Sequence, residues 1–292
     1  MLQGLAQVER RLGSWEASVG HFRDALALDP RNPAIQYDLG FSLALMKRVG
    51  EARPFLEGAV RSGPTNQSGH EALFGALLWA AGDSAAAREH SERTQLEDPS
   101  VVAKWRSDLA IVRRDFAAAA AALDGLPEEE PDDSPFTGYA PYHPRPLPLL
   151  RARAAWLQRD AAALDRHAAE ILRWADASRF SRPGFDPWRH TRDVHLMRAL
   201  AYAYRGDVEA ARAEAELVPV DLGRDAADDT TILNSLTLVW IVLGEKERAL
   251  EGLERLAAVP SPVTATRLRL DPTYDSLRGE PRFQGLVARG GG

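Results

Sequence analysis

One spacing constrains this chain more than any other property. Pro30 and Pro64 stand 34 residues apart, and Pro99 follows 35 further on. Each closes a stretch of similar design: LGSWEASVGHFRDALALDP at 12–30, LMKRVGEARPFLEGAVRSGP at 45–64, and AGDSAAAREHSERTQLEDP, which ends at Pro99. The pattern continues less regularly through RRDFAAAAAALDGLP, LQRDAAALDRHAAEIL, YRGDVEAARAEAELVP and LGEKERALEGLERLAAVP. That makes seven units, three of them irregularly spaced. A period of this length describes a supersecondary unit that cannot bury its apolar face alone and must stack on its neighbours. An irregular helical bundle is the alternative, and the near-constant punctuation argues against it.

Within each unit the residue types suit a pair of helices. Trp15, Val19, Phe22 and Leu26 recur at helical spacing. Asp83, Asp115, Asp160 and Asp207 follow the expected turns and suit the N-cap of a second helix. Pro30, Pro64 and Pro99 are expected to stop that helix. Small residues at Gly40, Gly75 and Ala199 let two helices approach closely.

On these residues the chain resembles the tetratricopeptide repeat (TPR) family. Its second unit matches best, through Leu39, Gly40, Ala52, Leu56, Ala59 and Pro64. The first contributes Gly13, Trp15, Phe22, Ala25 and Pro30, and the last Leu243, Gly244, Ala249, Leu253 and Leu256. Arg114 and Arg159 replace the turn glycine in the fourth and fifth units. The resemblance implies an all-α fold: a superhelical array of antiparallel helix pairs, about seven units long, with a capping C-terminal segment. The expected organisation is N-terminal repeats over 1–127, a Pro-rich loop over 128–148, C-terminal repeats over 149–260 and a cap over 261–292.

The loop carries PEEEPDDSPFTGYAPYHPRPLP at 127–148, where prolines exclude a continuous helix. A second break, RFSRPGFDPWRH at 179–190, carries three aromatic side chains. The final segment, RLRLDPTYDSLRGEPRFQGLVARGGG, resembles the tail that closes TPR regions in bacterial kinase, cyclase and transcription-regulator proteins. Leu270, Asp271, Pro272, Tyr274, Leu277, Arg278, Pro281, Arg282, Phe283 and Leu286 carry that resemblance. Tyr274, Leu277, Phe283 and Leu286 can cover the apolar face of the last unit. The expectation is a stand-alone relative or the sensor half of a longer chain.

The search for chemistry returns little. The chain has no cysteine, so disulfides, thiolate metal sites and a cysteine nucleophile are excluded. No HExxH, nucleophile elbow, phosphate loop or dinucleotide fingerprint occurs. Asp186, His190, Asp193 and His195 form the densest polar cluster, as a metal or acid–base site or as an ordinary polar helix entrance. No enzyme activity, cofactor or metal is expected. A net charge of -6 and scattered arginines disfavour direct nucleic-acid binding. No apolar run is long enough to span a membrane, and no signal peptide is visible, so a cytoplasmic protein is expected.

The resemblance also implies where a partner sits. In such arrays the first helix of each pair lines a concave groove, which places Tyr37, Phe41, Trp79, Arg153, Trp156, Leu196, Leu200 and Asn234 there. The expected function is a scaffold holding a protein or peptide in an open aromatic groove. The alternative is a small-molecule-sensing regulatory module with an enclosed pocket. An exposed apolar groove can equally be closed by the 127–148 loop or by a second copy of the chain, so a homo-oligomer belongs to the same expectation.

Overall fold

The computed structural model describes residues 1–94, 96–126, 147–222 without 177–186, and 225–289, with the side chains of 187–190 left aside. Among the described residues every regular element is helical. The helices come in seven consecutive antiparallel hairpins. These are α1 (Leu2–Arg11) with α2 (Trp15–Leu28), α3 (Pro33–Leu45) with α4 (Val49–Ser62), and α5 (Gln67–Gly75) with α6 (Ser84–Arg93). Next come α7 (Pro99–Val112) with α8 (Phe116–Ala121), and α9 (Leu147–Gln158) with α10 (Ala161–Asp176). The last two are α11 (Pro187–Arg205) with α12 (Val208–Glu216), and α13 (Asp228–Leu243) with α14 (Lys246–Ala258). A cap follows, made of α15 (Ala265–Leu270), a 3-10 turn (Pro272–Leu277) and α16 (Pro281–Arg289). The chain is thus an α-solenoid of TPR-like hairpins, seven units long and capped.

One backbone device makes all seven hairpins. Each turn between first and second helix contains a single left-handed residue: Gly13, Lys47, Gly82, Arg114, Arg159, Gly206 or Gly244. That conformation ends one helix and turns the chain back. Arg114 and Arg159 occupy the glycine position in the strained form, with φ of 61° and 60°. Lys47 does the same in the second unit, which the glycine pattern did not reveal. The next residue then starts the second helix. Asp83, Asp115, Asp160 and Asp207 each accept a hydrogen bond from the backbone N–H three residues on, at 2.9 to 3.1 Å.

The first helix of the third unit ends in a π-turn over Ala76–Ala81. Lys47 and Gly82 are 35 positions apart where Gly13 and Lys47 are 34, and a π-turn is how a helix absorbs one extra residue.

Two boundaries differ from expectation. Pro99 does not stop α6, which has already ended at Arg93; it opens α7, with Asp98 as N-cap accepting from Ser100 N at 2.8 Å. Proline suits a first helical turn because its missing N–H would have no partner there. Helix α9 begins at Leu147, so the last two residues of the Pro-rich segment are helical. The rest of that segment, and residues 179–186 of the second break, lie outside the described residues.

Packing follows the unit pattern. Phe22, Leu39, Ala52, Leu56 and Ala59 are fully buried in one cluster, and Leu196, Ala249, Leu253 and Leu256 in another. A Cβ on Gly40 would lie 2.7 Å from Leu56 Cγ, so the small residue is what allows α3 and α4 to meet. Tyr274, Leu277, Phe283 and Leu286 are buried in the C-terminal cluster, as a cap requires.

Candidate functional site

The cap also reaches across the array. Ser261 N donates to Leu45 O at 2.9 Å. The Lys47 ammonium donates to the carbonyls of Leu256, Ala257 and Val259 at 3.4, 2.7 and 3.2 Å. Thr264 Oγ1 donates to Trp79 O at 2.7 Å, and Arg114 pairs with Asp275 at 2.5 Å. Near the other end, Ala226 N donates to Arg11 O at 2.8 Å. The seventh hairpin, the residues that lead into it and its tail therefore touch hairpins one to four. Small rotations between successive hairpins have accumulated until the array meets itself.

That closure decides the fate of the expected groove. Trp79, Arg153 and Asn234 do converge, but on the chain's own tail. The Arg153 guanidinium donates to Asp271 Oδ1 at 2.8 Å, Asp108 Oδ1 at 3.2 Å and Thr273 Oγ1 at 3.2 Å. Arg267 lies 5.3 Å above the Trp79 ring and Arg153 6.0 Å from it, within cation–π range. A second Asp271 oxygen sits 3.7 Å from Arg267 Nε. Two arginines thus face two carboxylates in a closed seam.

Electrostatics reinforce the seam. Burial pushes the Asp271 carboxyl up, but Arg153, Arg267 and the hydrogen bonds from Thr273 outweigh it and hold its pKa below the ordinary value. At Asp108 burial wins over the same arginines, and its pKa rises. Burial works against the charge on Arg153, yet Asp271 and Asp108 more than offset it and raise its pKa. Beside them lies a cavity of about 30 Å³ bordered by Arg153, Asn234, Leu238, Arg267 and Tyr274. That is room for about one water, not for a metabolite.

The other expected groove residues are buried elsewhere. Tyr37 and Phe41 stack on each other at 5.7 Å between the first two hairpins. Arg10 lies 5.3 Å above Phe41 and is itself tied to Asp38 and Ser42. Leu196 and Leu200 are core residues of the C-terminal cluster, and Trp156 packs half-buried against it. An open aromatic groove is therefore not what these eight positions form. The resemblance pointed to an inner face that Trp79, Arg153 and Asn234 do share; it carried no sign that residues 259–277 fill it.

Of the expected polar cluster, Asp193 and His195 are described, and each has its own partner. Asp193 pairs with buried Arg192 at 3.1 Å, together with Asp229 at 2.9 Å. His195 turns away to Glu214 at 2.5 Å. Asp186 lies outside the described residues, as does the His190 side chain. Among the described residues no group of three or more His, Cys, Asp or Glu could hold a metal ion.

A different surface stands out, which the sequence reading missed. Seven large apolar side chains are exposed among the described residues, and five belong to the first hairpin: Met1, Leu5, Val8, Leu12 and Leu28. Leu5, Val8 and Leu12 lie on one stripe of α1, and Gly4 beside them has open space where a Cβ would be. The opposite face of α1 is engaged: Gln3, Gln7 and Arg10 all bond Asp38 of α3. The stripe was legible as Leu5, Val8 and Leu12 at helical spacing, but sequence alone does not separate core from surface.

The fold and its closed interior define a TPR-like helical-repeat protein. No family model matches the chain, and no curated protein matches it. Among solved structures, it is similar to PilW, a widely conserved type IV pilus biogenesis factor. That match has 14% identity and a TM-score of 0.49, over 74% of this chain and 89% of that one. A tetratricopeptide repeat protein from Parabacteroides merdae matches at 14% identity and TM-score 0.48, over 98% and 96% of the two chains. The C-terminal part of a TPR protein from Cytophaga hutchinsonii matches at 12% and 0.41, over 94% and 99%. No helix among the described residues is long and apolar enough to cross a membrane.

Proposed function

We propose that the chain is a non-catalytic protein-interaction scaffold whose partner docks on the free edge of the first hairpin and not inside the array. One observation carries this: the inner face is occupied by residues 259–277, whereas Leu5, Val8 and Leu12 stand uncovered on α1. Exposed apolar side chains that share one helix stripe are a candidate contact surface. The partner class is therefore protein or peptide, and the proposed setting remains bacterial signalling or assembly in the cytoplasm.

Photo-crosslinking tests the reading. A crosslinker replacing Leu5 or Leu12 is expected to give adducts of defined mass in cell extract, with this chain or another protein. One replacing exposed Arg88 on α6 is expected to give none. Equal labelling at all three positions, or none at Leu5 and Leu12, would remove the proposal.

The small-molecule reading retains one supporting observation. A cleft of about 370 Å³ opens between α12, α13 and α14, and Arg248 lies 4.5 Å above the Trp240 ring at its edge. That volume suits a small ligand. A thermal-shift screen in which a metabolite stabilises the wild type but not Trp240→Leu would favour this reading.

A further inference from the structure

We propose that the cleft between α12, α13 and α14 binds a free apolar α-amino acid, with its ammonium at Glu251, its carboxylate at Arg255 and its side chain toward Trp240. This rests on the small-molecule reading of that cleft and deepens it by naming the chemistry of the ligand.

The cleft exists because one helix is short. Helix α12 has nine residues, where α14, the second helix of the next hairpin, has 13. Four residues fewer leave about 6 Å of α14 with no counterpart on the α12 side. The chain leaves α12 at Glu216 and runs on through Leu217 to Val220 without regular structure to replace it. The space of about 370 Å³ that remains is floored by apolar side chains. Val218, Leu233 and Trp240 are buried there, and Val220 and Leu236 half-buried. That floor gives an apolar side chain a surface on which to leave water, and the volume falls at the lower end of small-ligand sites.

Charge then narrows the ligand. Helix α14 carries six charged residues, and four of them are engaged within the chain. Lys246 pairs with Glu280, Glu247 and Glu254 with Arg282, and Arg248 with Glu216 while it lies over Trp240. The two that remain, Glu251 and Arg255, both line the cleft. Neither has a hydrogen-bond or ion-pair partner among the described residues. Four positions apart on a helix, they share a face with Cβ atoms roughly 6 Å apart. One unpaired carboxylate and one unpaired guanidinium beside an apolar floor call for one ammonium and one carboxylate on a single apolar body. An apolar acid would leave Glu251 unmatched, and an apolar amine would leave Arg255 unmatched. An apolar α-amino acid matches both.

Exposure sets the strength. Glu251 and Arg255 stand in water at the mouth, so each pairing contributes a few-fold in affinity, about fivefold at most. For so small a ligand the expected dissociation constant is on the order of 0.1 mM.

Isothermal titration of the full chain tests this, with L-leucine and L-phenylalanine as probes. The controls keep each body and remove one charge: isoamylamine and phenethylamine lack the carboxylate, isocaproate and hydrocinnamate the ammonium. At least one amino acid should bind, and its two single-charge analogues should bind about fivefold more weakly. Arg255→Gln should weaken the amino acid by a similar factor and leave the amine unchanged. Glu251→Gln should weaken the amino acid and leave the acid unchanged. Both side chains are exposed, so the unfolding midpoints should stay where they are. Should either variant lose its fold, the analogues on the wild type decide alone. No heat from either amino acid at about 10 mM, roughly a hundredfold above the expected constant, overturns the proposal. So does amino-acid binding that both glutamine variants leave untouched, which places the site elsewhere. Analogues that bind as tightly as the amino acid overturn the zwitterion. In each of these cases a different metabolite that stabilises the wild type but not Trp240→Leu leaves the cleft standing as a ligand site.

Discussion

The inner face around Trp79 and the outer edge around Leu5 start from the same material and end differently. Both are apolar faces on the first helix of a hairpin. The inner one is sealed by residues 259–277, fastened through Arg153, Asp271 and Thr264. The outer one lies bare beside Gly4. An apolar helix face therefore becomes core or contact surface according to what the rest of the chain brings to it, not according to its own residues.

The seam is the strongest element of that contrast, so breaking it should give the largest effect. Arg153→Met leaves Asp271 and Asp108 facing Arg267 alone. Removing one partner of a buried ion pair costs roughly 3–5 kcal/mol. Urea unfolding followed by circular dichroism should show a loss of that size. A loss below about 1 kcal/mol would mean that the tail is held by apolar packing alone, and that the inner face could reopen.

Glycine substitutions sharpen the contrast between covered and bare faces. Gly40→Ala pushes a Cβ to 2.7 Å from Leu56 Cγ, and overpacking of this kind costs about 1–3 kcal/mol. Gly4→Ala meets nothing within 4 Å and should be neutral or stabilising by up to about 1 kcal/mol through helix propensity. Thermal unfolding of the two variants should move in opposite directions. Equal destabilisation would show that the α1 edge is already covered.

Acid probes a second covered region. His70 and His90 stack at 5.0 Å, with His90 against Trp105. His70 Nε2 donates to Pro64 O at 2.9 Å, and Thr94 Oγ1 lies 3.0 Å from its Nδ1. Burial, followed by the neighbouring His70, lowers His90 to about 4, and burial lowers His70 as well. An unfolded histidine takes up its proton near pH 6.5. Between those values the unfolded state holds more protons, so stability should fall as the pH drops from 7 toward 4, by roughly 2 kcal/mol, and flatten below. Asp229 opposes this. Burial outweighs Arg192 and raises it to about 6, so the folded chain keeps a proton that the unfolded chain has lost, adding stability as the pH falls from 6 toward 4. Unfolding midpoints across this range should decline more steeply in Asp229→Asn than in the wild type, and least in His90→Gln.

Helix caps give the smallest effect. Asp115 caps α8 with a 3.0 Å bond to Ala118 N, and Asp115→Ala should cost about 1 kcal/mol. Ser14, at the same place in the bare first hairpin, makes no side-chain cap bond, so Ser14→Ala should change the unfolding midpoint little. A matching loss at both positions would remove this difference between the hairpins.

Much of the fold was legible because its causes are local. Asp83, Asp115, Asp160 and Asp207 cap the helices they precede, and Trp15, Val19 and Phe22 are buried as their spacing requires. The capping role of Tyr274 and Phe283 was legible for the same reason, since those side chains had an apolar face next to them to cover. Lys47 escaped notice because lysine rarely adopts the left-handed form its turn imposes. The groove residues were half legible. Trp79, Arg153 and Asn234 do share an inner face, yet the tail that seals it sits more than a hundred residues from Arg153.

By itself the sequence determined the hairpins, their number, their turns and their caps, because each rests on contacts within one unit or between neighbours. Only the tertiary structure decided that the array closes on itself, that its inner face is filled by its own tail, and that the first hairpin is left with an uncovered edge. Closure depends on small rotations summed over seven hairpins, a quantity that no single unit's residues encode.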